Sequence, residues 1–194
     1  MITTETKGDL FDAPDGAVLI HACNCLGSWG GGIARAFRAN YPAAYKVYNN
    51  HCKTLSENTA KHTIIDSKTN QPRALTLPLG TTLIIPPQEE DVAKSGKSHW
   101  IVCLFTSRAF GRSVSPPNVI LENSVHAIRD MRRQIEELHQ AGEGIASGGK
   151  VYSCRFNSGL FHVKWEDSKA VLEREMGGMA AVQEIVVVRP EGEE

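Results

Sequence analysis

The chain has 194 residues, 41% of them apolar and 22% charged, with a net charge of -1. That length accommodates one domain with its own core, and the composition excludes a disordered or fibrous chain. The near-zero charge excludes a global pull on nucleic acid, so an anionic ligand must be held locally.

In chain order, Ala17 to Ala22 (AVLIHA) is a continuous apolar run that predicts a buried strand. From Gly32 onward Ile33, Phe37, Tyr41, Ala44, Tyr48 and Cys52 recur every three to four residues and mark one helical face. Pro42 interrupts that face and predicts the start of a second helix, since its missing N–H costs nothing at a first position. Ser56 to Pro78 is polar and without firm period, and no element is assigned to it. Strands are expected at Thr81 to Ile85, Trp100 to Phe105, Val151 to Phe156 and Ile185 to Val188. After Pro116-Pro117, the repeat Leu121, Val125, Ile128, Met131, Ile135, Leu138 predicts the longest helix, stopping at Ala141-Gly142. A last helix begins near Glu166-Asp167 and ends at Gly177-Gly178. Arg132-Arg133, on the polar side of the long helix, reads as a solvated face. This alternation predicts a three-layer α/β fold, whose ligands bind outside the carboxyl ends of strands.

Five cysteines, an odd number and mostly within strand- or helix-like text, favour reduced, buried thiols in a cytoplasmic or nuclear protein. Cys23-x-Cys25 has no second close pair to complete a four-ligand zinc site, and no metal is expected. No apolar run approaches the roughly 20 residues of a membrane helix, and Met1 to Asp9 lack the pattern of a secretory signal. Neither a membrane nor nucleic acid is expected as a partner.

The stretch His21 to Ala34, HACNCLGSWGGGIA, joins a buried strand to a helix. A glycine run at a helix start lets backbone N–H groups approach an anion and aims the positive end of the helix dipole at it; the bland alternative is a plain turn. The run matches neither the lysine-bearing nucleotide loop nor the GxGxxG fingerprint, which argues against a dinucleotide-dependent oxidoreductase. Asn24 has the donor and acceptor to hold vicinal sugar hydroxyls. Trp29 either covers a sugar face or caps a core edge.

LIHACN, GSWGGGIA, GTTLIIPP and NSGLF followed by Trp165, in this order, resemble the macrodomain, an ADP-ribose-binding module. Within it they are most similar to the yeast-type branch of ADP-ribose 1''-phosphate phosphatases. The resemblance spans nearly the whole chain, taken as a single domain over 1–194, and is absent at Ser56 to Pro78. It implies a mixed, mostly parallel sheet flanked by helices. It implies hydrolysis of ADP-ribose 1''-phosphate, a by-product of tRNA splicing, by a cytoplasmic and also nuclear monomer without cofactor or metal. A non-catalytic reader of ADP-ribose is the alternative. So is a hydrolase acting on ADP-ribosylated proteins or on acyl groups of ADP-ribose.

Residue by residue, the resemblance gives Asp9, with the Leu10 N–H, the adenine amino group; a turn or helix-cap carboxylate is the other reading of Asp9. It gives Cys23, Asn24 and the loop Trp29, Gly30, Gly31, Gly32 and Ile33 the distal ribose and diphosphate. The second phosphate loop is Asn157, Ser158, Gly159, Leu160 and Phe161. His21 and Asn24 are the expected catalytic residues, His21 as general acid or base, against the alternative of a satisfied core histidine. His162 departs from the family, which commonly has glycine there. It either alters the loop or adds an ionisable group beside the substrate.

Overall fold

The structure, a computed structural model, describes residues 1–190. The strands are β1 (Ile2–Lys7), β2 (Val18–Asn24), β3 (Lys61–Ile65), β4 (Pro72–Thr76), β5 (Thr82–Ile85), β6 (Trp100–Ser107), β7 (Lys150–Ser153) and β8 (Glu184–Arg189). The helices are α1 (Gly32–Asn40), α2 (Pro42–Asn58), α3 (Glu89–Ser95), α4 (Pro117–Gln140) and α5 (Trp165–Met176). Among these described residues no helix is long and apolar enough to cross a membrane.

Six strands form one sheet in the order β1-β8-β7-β2-β6-β5. All neighbours are parallel except β5, which runs antiparallel to β6 at one edge. Helices α4 and α5 pack together, while α1 contacts α2 and α2 contacts α3. The strands covered by these helices are the continuous apolar runs. Val18, Leu19 and Ile20 of β2 and Val102, Cys103, Leu104 and Phe105 of β6 are all fully buried.

The expected helix break at Pro42 separates α1 from α2, with Pro42 in the first turn of α2. The remaining donors of that turn are met from a distance. Both carboxylate oxygens of buried Asp91, on α3, accept from Ala43 N–H and Ala44 N–H at 2.9 Å each. Arg133 of α4 pairs with Asp130 and Glu137 along the helix surface, a solvated charged face.

Three elements lie outside the sequence reading. β1 carries one apolar residue among its six and pairs only at the sheet edge with β8, so it has no hydrophobic pattern to detect. The Ser56 to Pro78 segment contains the β3–β4 hairpin, which stands apart from the main sheet and buries little beyond Ile64 and Leu75. The third is α3, a seven-residue charged helix of about two turns whose buried residue is Asp91.

Candidate active-site cleft

A cleft of about 1300 Å³ crosses the carboxyl ends of the parallel strands. Its wall runs from Gly8–Asp12 after β1, past Val188 and Pro190 of the β8 end and Cys154–His162 after β7, to Ala22–Ala34 around the β2 end and Phe110–Gly111 after β6. Each wall segment is a chain leaving a strand, so the parallel sheet gathers five separate stretches of sequence on one edge.

The first loop is held by its own residues and by α2, from which Tyr45 and Asn49 both donate to the Gly27 carbonyl. The Asn24 side chain accepts from Leu26 N–H at 2.9 Å and donates to the Ser28 carbonyl at 2.6 Å. Tyr48 of α2 fixes Asn24 in turn, its hydroxyl donating to the Asn24 carbonyl at 2.7 Å. Gly31 then precedes α1 without any side-chain cap, and the first turn of α1 carries no acidic residue. Its leading N–H groups have no partner within the helix and lie on the cleft wall, which suits an anion.

The second loop is anchored across the fold. Asn157 is buried at φ +66, its carbonyl oxygen accepting from Thr106 of β6 at 2.8 Å and its amide donating to Ser124 of α4 at 3.0 Å. A further bond reaches Ser168 of α5 at 3.3 Å. Ser158, Gly159, Leu160 and Phe161 then run along the cleft. The two loops meet where Leu160 overhangs the glycines: a Cβ placed on Gly31 would lie 2.8 Å from Leu160 Cδ1. Glycine at 31 lets the exposed Leu160 tip lie over the first loop, where any side chain would make that tip turn aside.

The structure brings Asp9, Leu10, Cys23, Asn24, Trp29 to Ile33 and Asn157 to His162 onto one wall. Four of these also make contacts within the protein. Asn24 and Asn157 spend their amides on loop construction, as described above. Trp29 is fully buried, stacked on Tyr48 with ring centroids 5.0 Å apart, so it closes the core behind the loop rather than covering a ligand face. Asp9 caps the 3-10 turn Leu10–Asp12, accepting from Phe11 N–H at 2.9 Å through Oδ1. Exposed on the cleft wall, it keeps its second oxygen for another donor.

His21 does not join this wall. Its side chain is fully buried and absent from the cleft wall. The ring stacks on Phe37 at 4.0 Å and meets the edge of Trp29 at 4.9 Å. Side chains alternate along a strand, and this one points into the helix layer rather than along the strand toward its carboxyl end. The structure thus places the imidazole expected to donate or accept a proton in the core, beside the Phe37 and Trp29 rings.

His21 also gathers the thiols of Cys23 and Cys103, the three ligand atoms lying within 4.8 Å of one another. Cys23 Sγ sits 3.7 Å from Nδ1 and 3.5 Å from Nε2. Near-equal distances put the sulfur off the lone-pair direction of either nitrogen, where it packs rather than shares a metal. Burial holds the Cys23 thiol well above its ordinary range, hence protonated. Cys25 turns away to the Ser107 carbonyl, at 3.5 Å.

The sequence reading missed Phe110, Gly111, Arg155, Val188 and Pro190 on the wall. Phe110, 47% exposed and three residues past the end of the buried β6, carried a readable signal, since an exposed aromatic at a strand's carboxyl end marks a ligand edge. The others reach the wall only through strand order.

This sheet order, cleft and pair of facing loops define a macrodomain fold. The chain matches the macrodomain of Mycobacterium tuberculosis DarG with a TM-score of 0.68 at 21% identity, over 98% of this chain and 99% of that one. Thermosipho africanus DarTG, solved in complex with ADP-ribose, gives 0.67 at 16% identity, over 98% of this chain and 43% of that one. Sequence relatives are closer. The ADP-ribose 1''-phosphate phosphatase of Aspergillus clavatus is 54% identical over 96% of this chain and 94% of its own length. That of Meyerozyma guilliermondii is 35% identical over 87% and 90%. No protein-family model matches the chain. The protein belongs to the family of ADP-ribose 1''-phosphate phosphatases.

Proposed function

We propose that the protein hydrolyses ADP-ribose 1''-phosphate to ADP-ribose and inorganic phosphate. The observation that carries this reading is the junction of the two loops, where the uncapped first turn of α1 faces the Ser158–Phe161 backbone across the cleft. Backbone donors of this kind hold a diphosphate without lysine or arginine, which reconciles an anionic substrate with a net charge of -1. Relatives at about half identity bear the phosphatase name, and a structural neighbour carries ADP-ribose.

In this reading the adenine lies at the β1 end, its amino group donating to the second oxygen of Asp9 and its ring nitrogen accepting from Leu10 N–H. The diphosphate lies under Leu160, and the distal ribose and its phosphate extend toward β6. Five free thiols support a cytoplasmic or nuclear setting. A second class of substrate, ADP-ribosylated protein, is favoured by the exposed apolar residues Phe110 and Leu160 on the wall, which a macromolecular adduct would cover.

Phosphate release from ADP-ribose 1''-phosphate, measured beside calorimetry with ADP-ribose, tests the proposal. Turnover and 1:1 binding without added metal are expected. Binding with no release makes the protein a reader, and binding that needs zinc or magnesium removes the backbone-donor account.

A further inference from the structure

The cleft is polarised in charge from one end to the other. The carboxylates among its described wall residues are Asp9 and Asp12, both in the chain that leaves β1. At the other end is the chain that leaves β6, where Phe110 and Gly111 line the wall between Arg108 and Arg112. In the sheet order only β5 lies beyond β6, and β5 runs antiparallel and sends none of its residues to the wall.

Arg108 and Arg112 are both exposed, and among the described residues neither guanidinium has a hydrogen bond or ion pair. This sets them apart from Arg129, Arg132, Arg133, Arg155 and Arg174, each of which meets a carboxylate. The surrounding chain supplies no counter-charge. Residues 92–121 contain no Asp or Glu, nor do residues 16–56, which carry the first loop. Glu122, the next acid after Arg112, is buried and bonded to Ser67 and His126.

Their loop is nonetheless fixed in place. Ser107 Oγ donates to the Ala109 carbonyl at 2.7 Å and accepts from Ser115 N–H at 3.1 Å, which closes the neck of the loop. Cys25 N–H donates to the Arg108 carbonyl at 3.2 Å, so the backbone at Arg108 is bonded to the residue after Asn24. Two cations without counter-ions are thus held at one end of a cleft whose carboxylates lie at the other.

Substrate and product of the proposed reaction differ in one group. Both contain the adenosine and the diphosphate, so Asp9 and the backbone donors of the two loops hold them alike and give the substrate no preference. The difference is the terminal phosphate, close to a dianion at neutral pH. With the adenine at Asp9, the ligand carries that phosphate toward the β6 end.

We infer that Arg108 and Arg112 select the phosphorylated substrate over its product, ADP-ribose, by placing positive charge at the β6 end of the cleft; the inference rests on the phosphatase reading above. An exposed guanidinium acts on an anion through its field over a Debye length, about 8 Å at physiological salt, so no fixed contact is required. The cleft walls focus that field, and Asp9 and Asp12 oppose it at the far end, which orients a ligand charged at one terminus. Release of the phosphate removes the attraction, and ADP-ribose leaves a site that still draws substrate. Neither arginine takes part in the bond-breaking step.

The test measures kcat and KM for phosphate release, with ADP-ribose calorimetry in parallel. It compares wild type with the double variants Arg108→Gln/Arg112→Gln and Arg108→Lys/Arg112→Lys. We expect KM to rise roughly tenfold in the Gln pair and to stay within about threefold in the Lys pair, with kcat changing far less. ADP-ribose affinity stays within about twofold in both. Raising salt from ~50 to ~500 mM brings the wild-type KM toward that of the Gln pair. A Gln pair with wild-type KM overturns the inference and leaves the phosphatase reading intact. So does a Lys pair as impaired as the Gln pair, or an equal loss of ADP-ribose affinity. A wild type that binds ADP-ribose but releases no phosphate overturns the phosphatase reading, and this inference with it.

Discussion

The two loops that form the cleft reach the same end by different means. The first, Asn24 to Gly32, is held from nearby in the chain: the Asn24 amide binds groups two and four residues away, Tyr45, Tyr48 and Asn49 of the neighbouring α2 donate to Gly27 and Asn24 from 18 to 24 residues away, and glycine leaves room for Leu160. The second, Asn157 to His162, is held by a β-strand and two helices, through side chains 51, 33 and 11 residues away in sequence. Each depends on an asparagine whose amide bonds within the protein. A loop that must present its backbone to an anion has its own polar groups to satisfy first, and a side-chain amide, with donors and acceptors together, does that.

The largest expected effect tests where the loops meet. Gly31→Glu places a side chain against Leu160 and a carboxylate over the uncapped turn of α1. ADP-ribose affinity should fall at least ~100-fold, about 3 kcal/mol, with circular dichroism and melting near wild type. A soluble variant with normal affinity moves the phosphate site elsewhere.

His21→Ala separates core from catalyst. Removing a buried ring stacked on Phe37 should cost about 2–4 kcal/mol in urea unfolding, while the folded fraction releases phosphate within a few-fold of wild type. A loss of ~10² in turnover at unchanged stability returns the catalytic role to His21.

The asparagines sharpen the comparison itself. Asn157→Ala leaves Thr106, Ser124 and Ser168 without their partner, at about 2–3 kcal/mol of stability. Asn24→Ala removes two bonds within its loop and one from Tyr48 at 3.2 Å, whose hydroxyl keeps the Asn24 carbonyl, and should cost about 1 kcal/mol of stability and roughly tenfold in ADP-ribose affinity. Equal stability losses from the two would break the distinction between a local and a tertiary loop.

The smallest effect lies beyond the cleft, at β1. The Glu5 carboxylate accepts from Lys169 at 2.8 Å, from Arg155 and from Trp165, and these partners bring its pKa down to about 2. A depressed carboxylate pKa contributes stability that is full above the unfolded value, near 4.5, and is lost as pH falls through about 2. Glu5→Gln should flatten acid unfolding between those limits and cost under about 1 kcal/mol at neutral pH, because the pairs are partly exposed. An unchanged acid limb shows that solvent screens the cluster.

Much of the fold was legible because buried parallel strands and amphipathic helices write their burial into the sequence. The runs at β2, β6 and β8 and the repeat along α4 needed no partner to be recognised. The β3–β4 hairpin and β1 were not, since half-exposed strands carry too few apolar residues to set a period. At the site, glycine spacing and the order of motifs located both loops, but residue type could not fix orientation. His21 and Trp29 were readable either toward the ligand or into the core and Asn24 toward the ligand, and only the structure shows the contacts each makes within the protein.

By itself the sequence determined the layered α/β class, the strand that ends at Asn24 and the two glycine-bearing loops, because these follow from local pattern and backbone freedom. Only the tertiary structure decided that His21 packs against Phe37, that Asn157 reaches β6, and that His162 is the imidazole on the cleft wall. Which way a side chain faces, and which distant group meets it, depends on strand order and packing, and no single stretch of sequence contains either.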